Sequence, residues 1–223
     1  MTDSPAVIFD LDGTLVDTAP DLLGALNAVL EQAGHRTIEP AELRHLAGHG
    51  VRALFERTFA VTGAAVTPEQ MARYGEDFLA HYRFNIAEGS RPFPRVPETL
   101  EALTRAGARL GVCTNKPHDL ATLLLSELDL SRHFGAVIGA GVAPANKPDA
   151  RHVRAVVDAL KGRHTHAVLV GDSPVDVAAA RAAGIPVIAM SYGYTPVPVH
   201  ELGADLVADD FADVPELVAR LLG

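Results

Sequence analysis

At 223 residues and 48% hydrophobic composition the chain can bury a sizeable core, as one large domain or as a core carrying a smaller inserted module. A formal net charge of −9 and a pI near 5.5 exclude a nucleic-acid-binding surface and a basic membrane face, which need clustered Lys and Arg. A single cysteine, Cys113, excludes an intrachain disulfide. With no basic leader and no apolar run long enough to span a bilayer, the chain reads as a soluble cytoplasmic protein with a small-molecule partner.

The first element is the run Ala6-Val7-Ile8-Phe9, followed by Asp10-Leu11-Asp12-Gly13-Thr14-Leu15. A short apolar run with Val, Ile and Phe predicts a strand buried on both faces, as in a parallel sheet. Asp10 and Asp12 then lie at its carboxyl end, the edge where open α/β sheets bind ligands. On an extended chain two carboxylates one residue apart share a face, and their repulsion is relieved by a hard cation such as Mg²⁺. Gly13 permits a sharp turn with free amide N–H groups suited to an anion. Carboxylates, a cation and amides together suggest phosphate chemistry. A bare Asp-Gly chain reversal is the alternative, but a helical pattern follows where a hairpin needs a second strand.

Leu22, Leu23, Leu26, Val29 and Leu30 recur at helical spacing before Gly34, and helical patterns return after Pro40, over 51–59 and over 68–87. With no strand between Val16 and Ser90, residues 17–90 read as an inserted all-helical cap, leaving 1–16 and 91–223 as the core. Beyond Pro94 the pattern alternates. Helices at 97–106, 119–129, 149–160, 175–183 and 214–222 are interleaved with strands at 109–114, 136–139, 167–171, 186–190 and 205–208. This predicts a Rossmann-like parallel sheet flanked by helices. Cys113, inside one of those strands, reads as a packed core residue.

If the strands are parallel, their carboxyl ends meet at one edge. Thr114 and Asn115 follow the second strand and offer a hydroxyl and amides to phosphate oxygens. Lys147, just before Pro148 and a helix, offers a fixed cation. Asp172 and Asp176, four apart across a strand end and a helix start, can face one cation, although Asp172 also suits a helix cap.

In order, these features resemble the signatures of the haloacid dehalogenase-like hydrolases: the D-x-D-x-T stretch at Asp10–Thr14, the hydroxyl at Thr114, the lysine at Lys147, and the acidic pair in Gly171-Asp172-x-x-x-Asp176. The resemblance implies that Asp10 is a nucleophile forming an aspartyl phosphate. Asp12 is implied as general acid and base, which requires surroundings that raise its pKa above the usual value of about 3.9. It further implies Mg²⁺ held by the Asp10 carboxylate, the Asp12 backbone carbonyl and Asp172, with Asp176 and Ser173 in support. Phosphoryl oxygens fall to Gly13, Thr114, Asn115 and Lys147.

Substrate choice is expected from the cap segment carrying Arg44, His45, His49, Gly50 and Arg52, whose cationic and imidazole groups suit a second anionic group on a small substrate. Within the family the chain resembles the phosphoglycolate phosphatases, on the stretch from Val7 to Thr18, the Gly48-His49-Gly50 turn, Thr114-Asn115-Lys116-Pro117 and Ser191-Tyr192-Gly193-Tyr194. It departs from them at Phe93-Pro94-Arg95-Val96, where relatives commonly have Pro-Gly-Val. The expected partner is therefore a small phosphorylated metabolite, 2-phosphoglycolate first. A sugar-phosphate or amino-sugar-phosphate phosphatase, a phosphosugar mutase and a phosphorylation-receiver module are the rivals. Nothing in the residues specifies an oligomeric state.

Overall fold

The computed structural model describes residues 4–43, 46, 50–195 and 197–223. Strand β1 (Ala6–Phe9) sits at the centre of a six-stranded sheet and is completely buried, as its unbroken apolar run requires. The chain then forms β2 (Val16–Asp17), helices α1 (Ala19–Gln32), α2 (Pro40–Leu43), α3 (Val51–Thr62) and α4 (Pro68–Phe84), and β3 (Arg91–Pro92). Alternation follows: α5 (Val96–Arg105), β4 (Arg109–Pro117), α6 (His118–Glu127), β5 (Ala136–Ala140), α7 (Ala150–Ala159), β6 (Ala167–Gly171), α8 (Pro174–Ala183), β7 (Val187–Met190), β8 (Leu206–Ala208) and α9 (Val214–Leu222).

The sheet order is β5-β4-β1-β6-β7-β8, and every described pairing within it is parallel. The strand order reverses beside β1, so the crevice at its carboxyl end is the ligand position of a doubly wound sheet. Residue alternation divides the core into two layers. Val7, Phe9, Val112, Val168 and Val170 face one side with α5, α6 and α9, whereas Ala6, Ile8, Cys113 and Leu169 face the other with α7 and α8.

Two differences from the sequence reading concern strands, one at the helical insertion and one in the core sheet. Val16–Asp17 is a strand, paired antiparallel with Arg91–Pro92, where none was expected. Two residues carry too little periodicity to be read as a strand, and the paired residues, Val16 with Pro92 and Asp17 with Arg91, are far apart in the chain. Strand β4 also runs on to Pro117, with its register to β5 shifting between Thr114 and Pro117. The residues expected just after a strand therefore lie within its irregular end.

The helices between β2 and β3 pack through an aromatic cluster. Phe55 meets Phe78 edge-on at 5.6 Å, and Phe78 stacks on Tyr82 at 5.7 Å. Helix α4 starts at a capping box, in which Gln70 N–H donates to Thr67 Oγ1 and Thr67 N–H to Gln70 Oε1, followed by Pro68. This fixes the helix that delivers Tyr82 to the crevice. Asp21 on α1 closes the insertion: its carboxylate accepts from Gly89 N–H at 2.7 Å, Ser90 N–H at 2.8 Å and Ser90 Oγ–H at 2.6 Å.

Candidate active site

Past β1 the backbone turns on itself. The Leu11 carbonyl accepts from both Leu15 and Val16, and Gly13 N–H donates to the Val16 carbonyl at 2.9 Å. The Gly13 amide expected for phosphate is thus committed within the turn. What Gly13 supplies is space. At φ +86° it takes a conformation that favours glycine, and a Cβ there would lie 2.5 Å from Asp172 Oδ2 and 3.0 Å from the Tyr194 ring.

Asp10, Asp172 and Asp176 converge, with ligand oxygens all within 4.8 Å of one another and all three residues buried. Thr14 Oγ1–H donates to Asp172 Oδ1 at 2.7 Å and Tyr194 N–H to Oδ2 at 2.6 Å. Asp176 Oδ2 accepts from Ser173 Oγ–H at 2.6 Å and Ser173 N–H at 3.1 Å, so Ser173 supports Asp176 and caps α8. Asp172 and Ser173 come from the end of β6, which places this group directly beside β1.

Lys147 is the counter-charge. Its Nζ donates to Asp176 Oδ1 at 2.6 Å and lies 2.8 Å from Asp10 Oδ1. Asp10 Oδ1 has no hydrogen-bond partner, so the second contact is one of charge and distance, not of hydrogen-bond direction. Burial alone would pull the ammonium down, but Asp10 and Asp176 more than offset it and hold Lys147 charged. One cation against three carboxylates leaves the cluster anionic. Burial raises Asp10 to about 6 against the opposing charge of Lys147, and burial with the Asp176 and Asp10 charges raises Asp172 well above the carboxylate range. An anionic set of closely spaced, buried carboxylate oxygens fits a hard divalent cation.

Asn115 has another task besides the one expected. Its Oδ1 accepts from Lys147 N–H at 2.9 Å and its Nδ2 donates to the Lys147 carbonyl at 3.0 Å. The Lys147 N–H also lies 3.2 Å from Nδ1 of His152, a residue of α7 with no exposed surface, whose Nε2 is 3.0 Å from the Ile138 carbonyl. A carbonyl only accepts, so Nε2 carries the proton and Nδ1 accepts. The backbone of Lys147 is thus clamped from β4 and α7. Asn115 retains its second Nδ2 proton for an anion. Thr114 is buried beside Asp10 and Asp12 at the cleft, its Oγ1 accepting from Lys116 N–H at 3.2 Å.

Asp12 has a charged partner in Lys116, whose Nζ donates to Asp12 Oδ1 at 2.9 Å and to the Tyr82 hydroxyl at 2.7 Å. Lys116 belonged to a recognised strand end but was given no role there. Its position after Thr114-Asn115 was the available signal, whereas nothing in the sequence announced Tyr82 or His152.

A cleft lies between the strand ends and the helical layer, with Asp10, Asp12, Thr114 and Lys116 in its lining. Gly50 reaches it, and so does Val51. Arg44, His45 and His49 lie outside the described residues. Arg52 is not brought to the site: its side chain is 88% exposed and pairs with Glu56 one helical turn on.

The model of the haloacid dehalogenase-like hydrolases matches residues 7–190. The chain is 50% identical to a phosphoglycolate phosphatase of Caulobacter vibrioides over 97% of this chain and 91% of that one, and 43% identical to another of Agrobacterium fabrum over 98% and 94%. Among solved structures it resembles a predicted phosphoglycolate phosphatase from Haemophilus somnus, with TM-score 0.91, 30% identity, and 97% and 99% of the two chains covered. The chain belongs to the haloacid dehalogenase-like hydrolases. It is a phosphoric monoester hydrolase, which removes the phosphorylation-receiver alternative. No helix among the described residues is long and apolar enough to cross a membrane.

Proposed function

We propose that the chain is a Mg²⁺-dependent phosphatase that hydrolyses 2-phosphoglycolate to glycolate and phosphate through an aspartyl phosphate. The observation that carries this reading is the convergence of Asp10, Thr114, Lys147 and the Asp172–Asp176 pair from four chain segments into one buried group at the strand ends. The identity of the relatives' named substrate supports the substrate.

Asp10, Asp172 and the Asp12 backbone carbonyl would hold the metal, with Asp176 and Ser173 behind them. The metal supplies positive charge against the phosphoryl oxygens and lowers the repulsion that an anionic nucleophile meets. Asp10 attacks phosphorus, and the ester oxygen leaves with a proton from Asp12. Asp12 then takes a proton from water, which attacks phosphorus and frees Asp10. Thr114 and the remaining Nδ2 proton of Asn115 orient the phosphoryl oxygens, and Lys147 offsets their charge. Gly13 serves by letting Asp172 approach.

Residues 1–16 and 91–223 form the catalytic core in this reading, and 17–90 a helical cap that joins it through β2 and β3, with Arg44, His49 and Gly50 assigned to substrate choice. A reducing cytoplasmic setting accords with Cys113, buried and free. The test is phosphate release from a panel of 2-phosphoglycolate, hexose, amino-sugar and nucleoside phosphates with Mg²⁺. EDTA and Asp10→Asn should each abolish release while the variant keeps its fold. Near-normal turnover by Asp10→Asn would sink the nucleophile assignment, and absence of sustained phosphate release would favour a mutase.

A further inference from the structure

The hydrolysis just described makes no use of Lys116. Its side chain is 3% exposed, yet it lines the cleft and is the single cationic residue among the described lining. Its position is tightly determined. Tyr82 accepts one hydrogen bond through its hydroxyl and lays its ring 4.4 Å from Nζ, and Asp12 accepts a second. An ammonium has three protons, and no third acceptor stands among the described residues. The charge stays on the lysine: burial opposes it, but Asp12 and Tyr82 together raise Lys116 above its ordinary range. Burial in turn pushes the Tyr82 hydroxyl up to about 12, so it meets the ammonium as a neutral acceptor.

Much of the remaining lining is apolar. Leu22, Val51, Leu54, Phe78 and Leu120 line the cleft, all buried or partly buried. A polyhydroxylated leaving group placed against them would have hydroxyls without partners, each costly to bury. A short leaving group ending in one anion would need a single donor, and Lys116 has one to give beside the carboxylates that handle phosphorus.

We infer that Lys116 is a specificity-determining residue that binds a second anionic group on the substrate, a carboxylate two carbons from the phosphate, while the apolar side chains of the lining disfavour sugar phosphates. This rests on the phosphomonoesterase reading above and deepens it. Tyr82, carried by α4, is the positioning residue that aims the ammonium into the cleft.

The experiment compares kcat/KM for 2-phosphoglycolate with that for 2-hydroxyethyl phosphate, a two-carbon ester whose far end is neutral, in the wild type, Lys116→Met and Tyr82→Phe. The wild type should prefer the anionic ester. Lys116→Met should lower that preference by about tenfold or more, chiefly through KM for 2-phosphoglycolate, as expected for one charge-assisted hydrogen bond. Tyr82→Phe, which keeps the ring stacked on Phe78, should lower it by a smaller factor. Equal losses on both esters in both variants would overturn the inference alone, since Lys116 would then act only through Asp12. A wild type indifferent to the second anion would overturn both the inference and the choice of 2-phosphoglycolate, leaving the hydrolytic reading in place.

Discussion

Replacing His152 by Gln changes the acid sensitivity of the fold in a way that the structure makes calculable. His152 is wholly buried, donates from Nε2 to the Ile138 carbonyl and accepts the Lys147 N–H at Nδ1. Burial pulls its pKa from the ordinary 6.5 to about 4, with the Ile138 carbonyl opposing and the Lys147 charge adding to the fall. Between those two values the unfolded chain binds a proton that the folded chain refuses. The stabilisation is therefore complete above pH 6.5 and is lost as the pH falls towards 4. Integrated from pH 7 to pH 5, it amounts to about 2 kcal/mol from this one residue. Gln does not titrate. At pH 7 the variant should be less stable by about 1 to 2 kcal/mol, from lost packing and altered hydrogen bonds. By pH 5 that deficit should shrink by about 2 kcal/mol, closing or reversing the gap. Urea unfolding of both proteins in EDTA at several pH values measures this, and differencing the curves cancels the opposing contribution of Asp10, whose folded pKa is raised to about 6. Parallel stability curves from pH 7 to pH 5 would refute the assignment of His152 as a buried neutral clamp.

Two further substitutions address other parts of the molecule. Asp21→Ala removes the acceptor of Gly89 N–H, Ser90 N–H and Ser90 Oγ–H, and should cost about 3 kcal/mol in urea unfolding, since these are hydrogen bonds to a buried charge. A loss below about 1 kcal/mol would show that the return of the chain to β3 is held by other contacts. Gly13→Ala places a methyl against Asp172 and imposes a left-handed conformation on alanine, costing about 1 to 2 kcal/mol of backbone strain. Its larger effect should be on catalysis: kcat/KM of the folded variant falling at least about tenfold, because the carboxylate displaced belongs to the anionic cluster. Unchanged kcat/KM would show that the close approach of Asp172 to Gly13 is unimportant.

The core fold was legible because strands buried on both faces of a parallel sheet are continuous apolar runs, and the strand-helix alternation after Pro94 admits few topologies. The span of β6 and that of α9 were read residue for residue, whereas β2 and β3 were missed. The acidic and cationic residues were legible for a related reason. Asp10, Asp12, Thr114 and Asp172 lie at or just past strand ends, Asp176 in the first turn of the helix after β6 and Lys147 in the loop between β5 and α7, and a parallel sheet gathers its strand ends at one edge.

What each of those groups does with its hydrogen bonds was settled only in three dimensions. The sequence determined by itself which residues reach the edge of the sheet, because that follows from local periodicity and strand polarity. Tertiary structure alone decided that Gly13 spends its amide on Val16, that Asn115 and His152 clamp the backbone of Lys147, and that Lys116 joins Asp12 to Tyr82 from a distant helix. A buried polar group must find a partner wherever the fold brings one within about 3 Å, and that distance is set by the packing of elements far apart in the chain.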